Sequence, residues 1–447
     1  MAAASYNLTI LFMVSLLKIV AGAGIGISYG RSATSLPPIA QVAQFLAHST
    51  TFDRVKLFDA DLASIRAFAN TDLAVDVTVP ARLIANLTDL RFARKWVRNN
   101  VAAHVDTVNL ARVLVGDEIL TTGTRSVAAS LGPAMQNLHT ALAGLALQHR
   151  VKVSAPQSLA MLDASDPPSA GEFRDPEAMR PLLGFLRATG APFMVNAYPF
   201  FGCEADTLGY ALFRPAAGGV VDGGTGAIYS SMLEAQLDAV YSAMRRVGFE
   251  DVEIVVAGTG WPTAGEEWQV GAGADNAREY NENVIRLLTS GTGTPLMPNR
   301  TFEAFLFSLF DEDLKNGPAS ERHFGLFRPD MSLLYDIGIL ATKIRGEETT
   351  LSPTRNTEKR WCVPKPNAQM LPLQDNIEYV CGQGVINCAA TRPGGACYYP
   401  DTVAAHAAFL MNEYYQASGR NDFDCDFGHT GMITAIDPSY GSCVYSS

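Results

Sequence analysis

Glu253-Ile254-Val255-Val256-Ala257-Gly258-Thr259-Gly260-Trp261-Pro262 is the stretch on which the fold turns. Ile254 to Ala257 is apolar without alternation. A strand that shows one face to water alternates apolar and polar side chains; a strand buried on both faces does not. Glu253–Val256 therefore predicts a strand inside a parallel sheet, ending in Val256-Ala257-Gly258-Thr259-Gly260-Trp261-Pro262. Runs of the same kind precede and follow it: Gly26–Tyr29, Arg54–Phe58, Leu73–Val79, Leu110–Val115, Val151–Ala155, Pro192–Asn196 and Phe302–Phe310. Amphipathic helical patterns lie between them, among them Leu62–Ala69, Ala128–Gln148 and Met232–Val247. Strand and helix alternating through eight runs predict an α/β domain, a (β/α)8 TIM barrel over residues 24–345. An open doubly wound sheet is the alternative. The Gly22-x-Gly24-x-Gly26 spacing that would favour it precedes a strand instead of following one, which is the wrong context for a dinucleotide loop.

Outside the barrel the composition changes. Residues 1–23 read as a signal peptide: a short apolar run, Leu8 to Leu17, then small residues at Ala21-Gly22-Ala23. The run is too short to span a bilayer. Residues 346–360 are polar and read as a linker. Residues 361–447 form a small disulfide-rich α+β module. Six of the seven cysteines fall there: Cys362, Cys381, Cys388, Cys397, Cys425 and Cys443. Behind a signal peptide they read as three disulfides, with the pairing left open. Cys203 stands alone as a buried thiol. No CxxC or paired-His spacing supports a metal, and no cofactor is expected. In the module, Asp401 precedes a helix over Thr402–Ala417, and Met432–Ala435 and Cys443–Tyr445 read as short strands. Tyr414 and Tyr415 lie on that helix and cannot both face one surface.

The chain carries a net charge of −11 with no Lys/Arg block, which argues against nucleic acid and anionic membranes as partners. A neutral polymer fits better. The sequons at Asn86 and Asn299 suit a secreted glycoprotein. No apolar tail follows Tyr445, so no lipid anchor is expected. The expectation is a monomeric, extracellular, cell-wall protein.

Barrel enzymes place their chemistry at the C-terminal ends of the strands. Those ends supply Tyr29, Phe58, Asp117, Glu118, Asn196, Tyr198, Trp261, Phe310, Glu312 and Lys315. The set is aromatic and acidic. Sugars offer apolar ring faces and hydroxyl edges, which such a set can stack on and hydrogen-bond.

Residues 24–345 resemble glycoside hydrolase family 17, the plant β-1,3-glucanases. The resemblance is carried by Ile25-Gly26-Ile27-Ser28-Tyr29-Gly30-Arg31, Lys56-Leu57-Phe58-Asp59, Asn196-Ala197-Tyr198-Pro199-Phe200-Phe201, Phe310-Asp311-Glu312 and Glu321-Arg322-His323-Phe324-Gly325-Leu326-Phe327, in order. Trp361-Cys362-Val363 through Asp437-Pro438-Ser439-Tyr440-Gly441-Ser442-Cys443 resembles carbohydrate-binding module family 43. The resemblance implies a callose-like β-1,3-glucan as partner and a retaining mechanism. It places the general acid at Glu118 and the nucleophile at position 258. Here that position is glycine, inside an intact Thr259-Gly260-Trp261-Pro262. Asp117 and Ala257 also depart from the family's Asn and Ser.

A retaining glycosidase needs two carboxyl groups about 5–5.5 Å apart, and Gly258 supplies none. Glu253 lies five residues earlier, about 17 Å down the strand. Glu266 and Glu267, in the following loop, offer an inverting route through a held water. Two readings follow: a β-1,3-glucan-recognising protein with lost or strongly reduced hydrolysis, and an active glucan endo-1,3-β-D-glucosidase.

Overall fold

The protein is described here from a computed structural model. The structure describes residues 24–214, 219–341, 360–365, 368–382, 386–418, 420, 422–434, 437–440 and 442–446. The expected signal peptide, and the expected linker except for Arg360, lie outside the described residues. The chain divides into two compact units, one up to Lys343 and one from Ile344.

The first unit is built on nine parallel segments. Eight of them, Ile25–Tyr29, Arg54–Leu57, Ala74–Val79, Leu110–Val115, Lys152–Ser154, Phe193–Asn196, Ile254–Thr259 and Ala304–Leu306, fall on the expected runs; most are trimmed, while the first begins one residue earlier and the seventh runs on to Thr259. The ninth, Gln157–Ser158, was not expected. It explains how the sheet closes. Lys152–Ser154 pairs with Leu110–Val115, while Gln157–Ser158 pairs with Phe193–Asn196. These outermost segments are two halves of one strand, parted by Ala155-Pro156. Pro156 has no N–H for a ladder, so the pairing breaks there. The remaining neighbours run in parallel register, and Ile25–Tyr29 sits between Arg54–Leu57 and Ala304–Leu306. The result is the TIM barrel that the sequence predicts.

Both faces of these strands are covered, so the charges that interrupt Arg54–Leu57, Ala74–Val79 and Leu110–Val115 need partners inside the barrel. Ile254–Thr259 is buried at every residue. Leu114, Met194, Val255, Ala257 and Phe305 pack as a separate cluster of their own. Near the strand starts lies a set of buried charges. Arg112 bonds Asp76 at 2.8 Å and Glu303 at 2.6 Å, and Arg54 pairs with Glu303. Leu62–Ala67, Arg125–Ala143 and Met232–Arg246 are among the outer helices. The last opens with a capping box, in which Ser231 and Glu234 satisfy each other's backbone N–H.

The second unit pairs Trp361–Pro364 antiparallel with Gly431–Thr434 and packs helices Met370–Gly382 and Val403–Ala417. The first of these helices had no counterpart in the sequence reading. Thr402, rather than Asp401, caps the second, its side chain accepting from the Ala405 N–H. Asp401 instead accepts from the Tyr398 hydroxyl at 2.6 Å. Cys443 forms an isolated bridge with Tyr440, so no strand runs over Cys443–Tyr445. The open pairing resolves as Cys362–Cys425, Cys381–Cys388 and Cys397–Cys443. Cys203 is free but only half-buried. Tyr415 is fully buried and Tyr414 is not. Among the described residues no helix is long and apolar enough to cross a membrane.

Candidate active site

Leu110–Val115 delivers Asp117 and Glu118 to the barrel mouth. Gly116 turns the chain at φ 69°, and a Cβ there would press on Ile119. Glu118 itself sits in the left-handed region at φ 56°. A non-glycine residue there stores about 1–3 kcal/mol of strain unless its surroundings hold it. They do: its N–H donates to the Pro156 carbonyl at 2.9 Å, and its carbonyl accepts from the N–H groups of Thr121 and Thr122. The break in the fifth strand thus supplies the acceptor that fixes Glu118.

Asn196 joins the two acids. Its amide nitrogen donates to Asp117 Oδ1 at 2.9 Å and to Glu118 Oε1 at 2.8 Å. Lys56 Nζ stands 3.7 Å from Asp117 Oδ2. Burial raises the Glu118 carboxyl above its usual range, and Asp117 adds to the rise; Asn196 and Lys56 oppose it. Burial lowers the Lys56 ammonium, against the pull of Asp117 and Asp76.

Opposite stands Gly258. It is paired with Asn196 across the sheet, beside a register irregularity, and its carbonyl accepts from the Ala197 N–H at 2.9 Å. A Cβ added there would lie 2.6 Å from the Tyr198 hydroxyl oxygen and 3.1 Å from Asn196 Oδ1. A side chain at 258 would therefore point toward the same Asn196 that holds Glu118. Asn196 Oδ1 is buried and has no hydrogen-bond partner.

Lys56, Asp117, Glu118, Asn196 and Tyr198 open on a cleft of about 720 Å³, with Gly258 buried behind its wall. Phe58, Asp117, Glu118, Asn196, Tyr198 and Lys315 line it. Rings of Tyr198, Phe307 and Phe324 meet edge to face at 5.4–6.1 Å. Lys315 Nζ sits 4.1 Å over the Phe307 ring and 3.4 Å from Glu312.

Four expected binding residues do not line the cleft. Tyr29, Trp261 and Phe310 are at most 2% exposed. Tyr29 packs edge-on against Phe310, and Trp261 donates to the Gly271 carbonyl at 2.8 Å. Position at a strand end does not set which way a ring turns, and these rings turn into the core. Glu312 is buried, accepts from the Ser32 N–H at 3.1 Å and pairs with Lys315. Gly30 admits it, since a Cβ there would overlap its carboxylate. Glu312 thus positions Lys315 instead of meeting the cleft.

Lys56, Phe201, Phe307, Glu321 and Phe324 line the cleft without having been singled out. Lys56 had a legible signal, a charge in the interior of a run expected to be buried. Of the substitute acids, Glu253 is exposed at the strand start, and Glu266 and Glu267 are exposed and not on the cleft wall. Beside Asp117 and Glu118, Glu321 is the remaining acid on that wall. In the second unit Tyr399 is 75% exposed, and Tyr440 lies at the surface. Asn86 and Asn299 are both exposed. Among the described residues no cluster of His, Cys, Asp and Glu could hold a metal.

Residues 25–339 match the family model of glycosyl hydrolases family 17. The chain belongs to glycosyl hydrolase family 17. Residues 360–432 match the X8 domain, the family-43 carbohydrate-binding module expected for the tail. Among relatives of this family 17 chain, a glucan endo-1,3-beta-glucosidase of Triticum aestivum is 45% identical over 95% of each chain. A glucan endo-1,3-beta-D-glucosidase of Olea europaea is 44% identical over 95% of this chain and 93% of its own. Among solved structures, a β-1,3-glucanase and pollen allergen of Cryptomeria japonica superposes with a TM-score of 0.66 at 35% identity. It covers 70% of this chain and 98% of its own.

Proposed function

We propose that this family 17 protein is a secreted β-1,3-glucan-recognising protein whose hydrolysis is lost or strongly reduced. One observation carries the reading: the position facing Asn196 and Glu118 is Gly258, and the space beside it is taken by the Tyr198 hydroxyl. In the retaining scheme Glu118 would protonate the leaving oxygen while a carboxylate opposite attacks the anomeric carbon. The raised Glu118 carboxyl suits the first role. The second role has no side chain. Loss of a covalent nucleophile lowers turnover on the order of 10⁴–10⁶-fold.

Recognition does not depend on that carboxylate. Phe58, Tyr198, Phe201 and Phe324 offer apolar surface to sugar faces, while Asp117 and Asn196 offer hydrogen bonds to hydroxyls. The X8 domain adds a second glucan-binding unit under this reading. Secretion rests on the apolar run Leu8 to Leu17 and on the two exposed sequons. The activity for which the wheat and olive relatives are named favours the other reading, an active endo-1,3-β-glucosidase.

The two readings separate on the Gly258→Glu variant. With a soluble β-1,3-glucan, the recognition reading expects an inert wild type that binds glucan, and release of reducing ends by the variant. Robust wild-type release, as strong as that of an active Gly258→Glu variant, would defeat the reading.

A further inference from the structure

Four tryptophans occur in the chain. Trp96, Trp261 and Trp361 are buried, at most 7% exposed, whereas Trp268 is 70% exposed. It stands on the loop that follows Ile254–Thr259, at the mouth end of the barrel. An indole left in water is common enough on a loose loop; this loop is stitched down. Gln269 Oε1 accepts from the Glu266 N–H at 3.0 Å, and Gln269 Nε2 donates to Ser320 Oγ at 2.7 Å. Glu266 Oε1 accepts from the Ala319 N–H at 3.1 Å. At the loop base the Thr263 N–H donates to the His323 carbonyl at 2.7 Å.

Every one of the last three bonds ends on the segment 319–323. That segment carries Glu321, a wall of the cleft. The loop is thus tied, residue by residue, to the edge of the site. A rigid aromatic presented beside a binding cleft gives contact area with little ordering cost. Its neighbours Glu266 and Glu267 are exposed acids, which disfavours an anionic partner and leaves a neutral one. Pyranose rings with apolar faces meet that description.

We propose that Trp268 is a stacking platform for a glucosyl ring beyond the cleft, an outlying subsite that extends the glucan track past Glu321. The inference rests on the glucan-recognition reading and adds a chain-length preference to it: only chains long enough to pass Glu321 gain the contact.

Trp268 itself supplies the probe, because fluorescence open to a neutral quencher such as acrylamide comes from the one exposed indole. The full chain is used in a Glu118→Gln background, so that no glucan is cut whatever the wild type does. A soluble β-1,3-glucan is expected to shield the indole from acrylamide, and a β-1,3-linked disaccharide is not. Trp268→Ala is expected to weaken calorimetric affinity for the long glucan about tenfold and to leave the disaccharide unchanged. Long glucan that binds without shielding the indole, and equally to Trp268→Ala, overturns the platform alone. No binding of any glucan to either protein overturns the platform together with the recognition reading beneath it.

Discussion

A Cβ at position 258 would stand 2.6 Å from the Tyr198 hydroxyl oxygen, closer than real side chains come. The glycine is therefore packed against, not merely empty. Gly258→Ala is expected to lower stability by about 1–3 kcal/mol through overpacking. Tyr198→Phe removes the offending oxygen, so the double variant is expected to recover part of that loss. A double-mutant cycle read by chemical denaturation checks it; strictly additive effects would contradict the contact. Position 258 was legible in the sequence because Thr259-Gly260-Trp261-Pro262 leaves the reading no room to slide. Tyr29, Trp261 and Phe310 were misplaced for a physical reason. Their residue types suit a sugar platform and a core equally well, and only packing decides between them. Lys56 was missed although a charge within a buried run is a signal in itself.

At the scale of elements, two buried sites of titratable groups make the barrel's stability testable. Arg112 holds Asp76 and Glu303 together where the strands begin. Arg112→Met strands the Asp76 carboxylate, leaves Glu303 with Arg54 alone, and is expected to cost about 3–5 kcal/mol. A thermal melt reads this, and an unshifted melt would show that the network contributes nothing. Asp238, on helix Met232–Arg246, accepts from Thr294, the Leu296 N–H and Tyr229. Burial nevertheless pushes its carboxyl up to about 6. A carboxyl raised in the fold favours folding while protonated. That contribution is whole below the ordinary pKa of 3.8 and is lost as pH rises through about 6. Wild type is therefore expected to lose stability relative to Asp238→Asn across this window, read by denaturant midpoints at several pH values. A constant difference would contradict the shift. The eight strands were readable because burial on both faces leaves runs dominated by apolar and β-branched residues. Gln157–Ser158 was not: two polar residues after a proline carry no period. Yet that piece closes the barrel, and the break before it holds Glu118 through the Pro156 carbonyl.

For the whole molecule, cysteine chemistry is confined to one unit. All three disulfides lie in the second, and the barrel holds Cys203 alone. Removing a native disulfide from a small domain costs about 2–5 kcal/mol. Reductant is expected to abolish or lower one calorimetric transition and leave the barrel's in place; a coincident loss of both would contradict independent units. Spacing could show that disulfides exist but not which cysteines meet, since the pairing depends on how Val403–Ala417 packs against Trp361–Pro364. Turnover is tested by release of reducing ends from a soluble β-1,3-glucan by the purified wild-type chain, beside Glu118→Gln. The two proteins are expected to release equally little. Release by wild type that Glu118→Gln abolishes would contradict it.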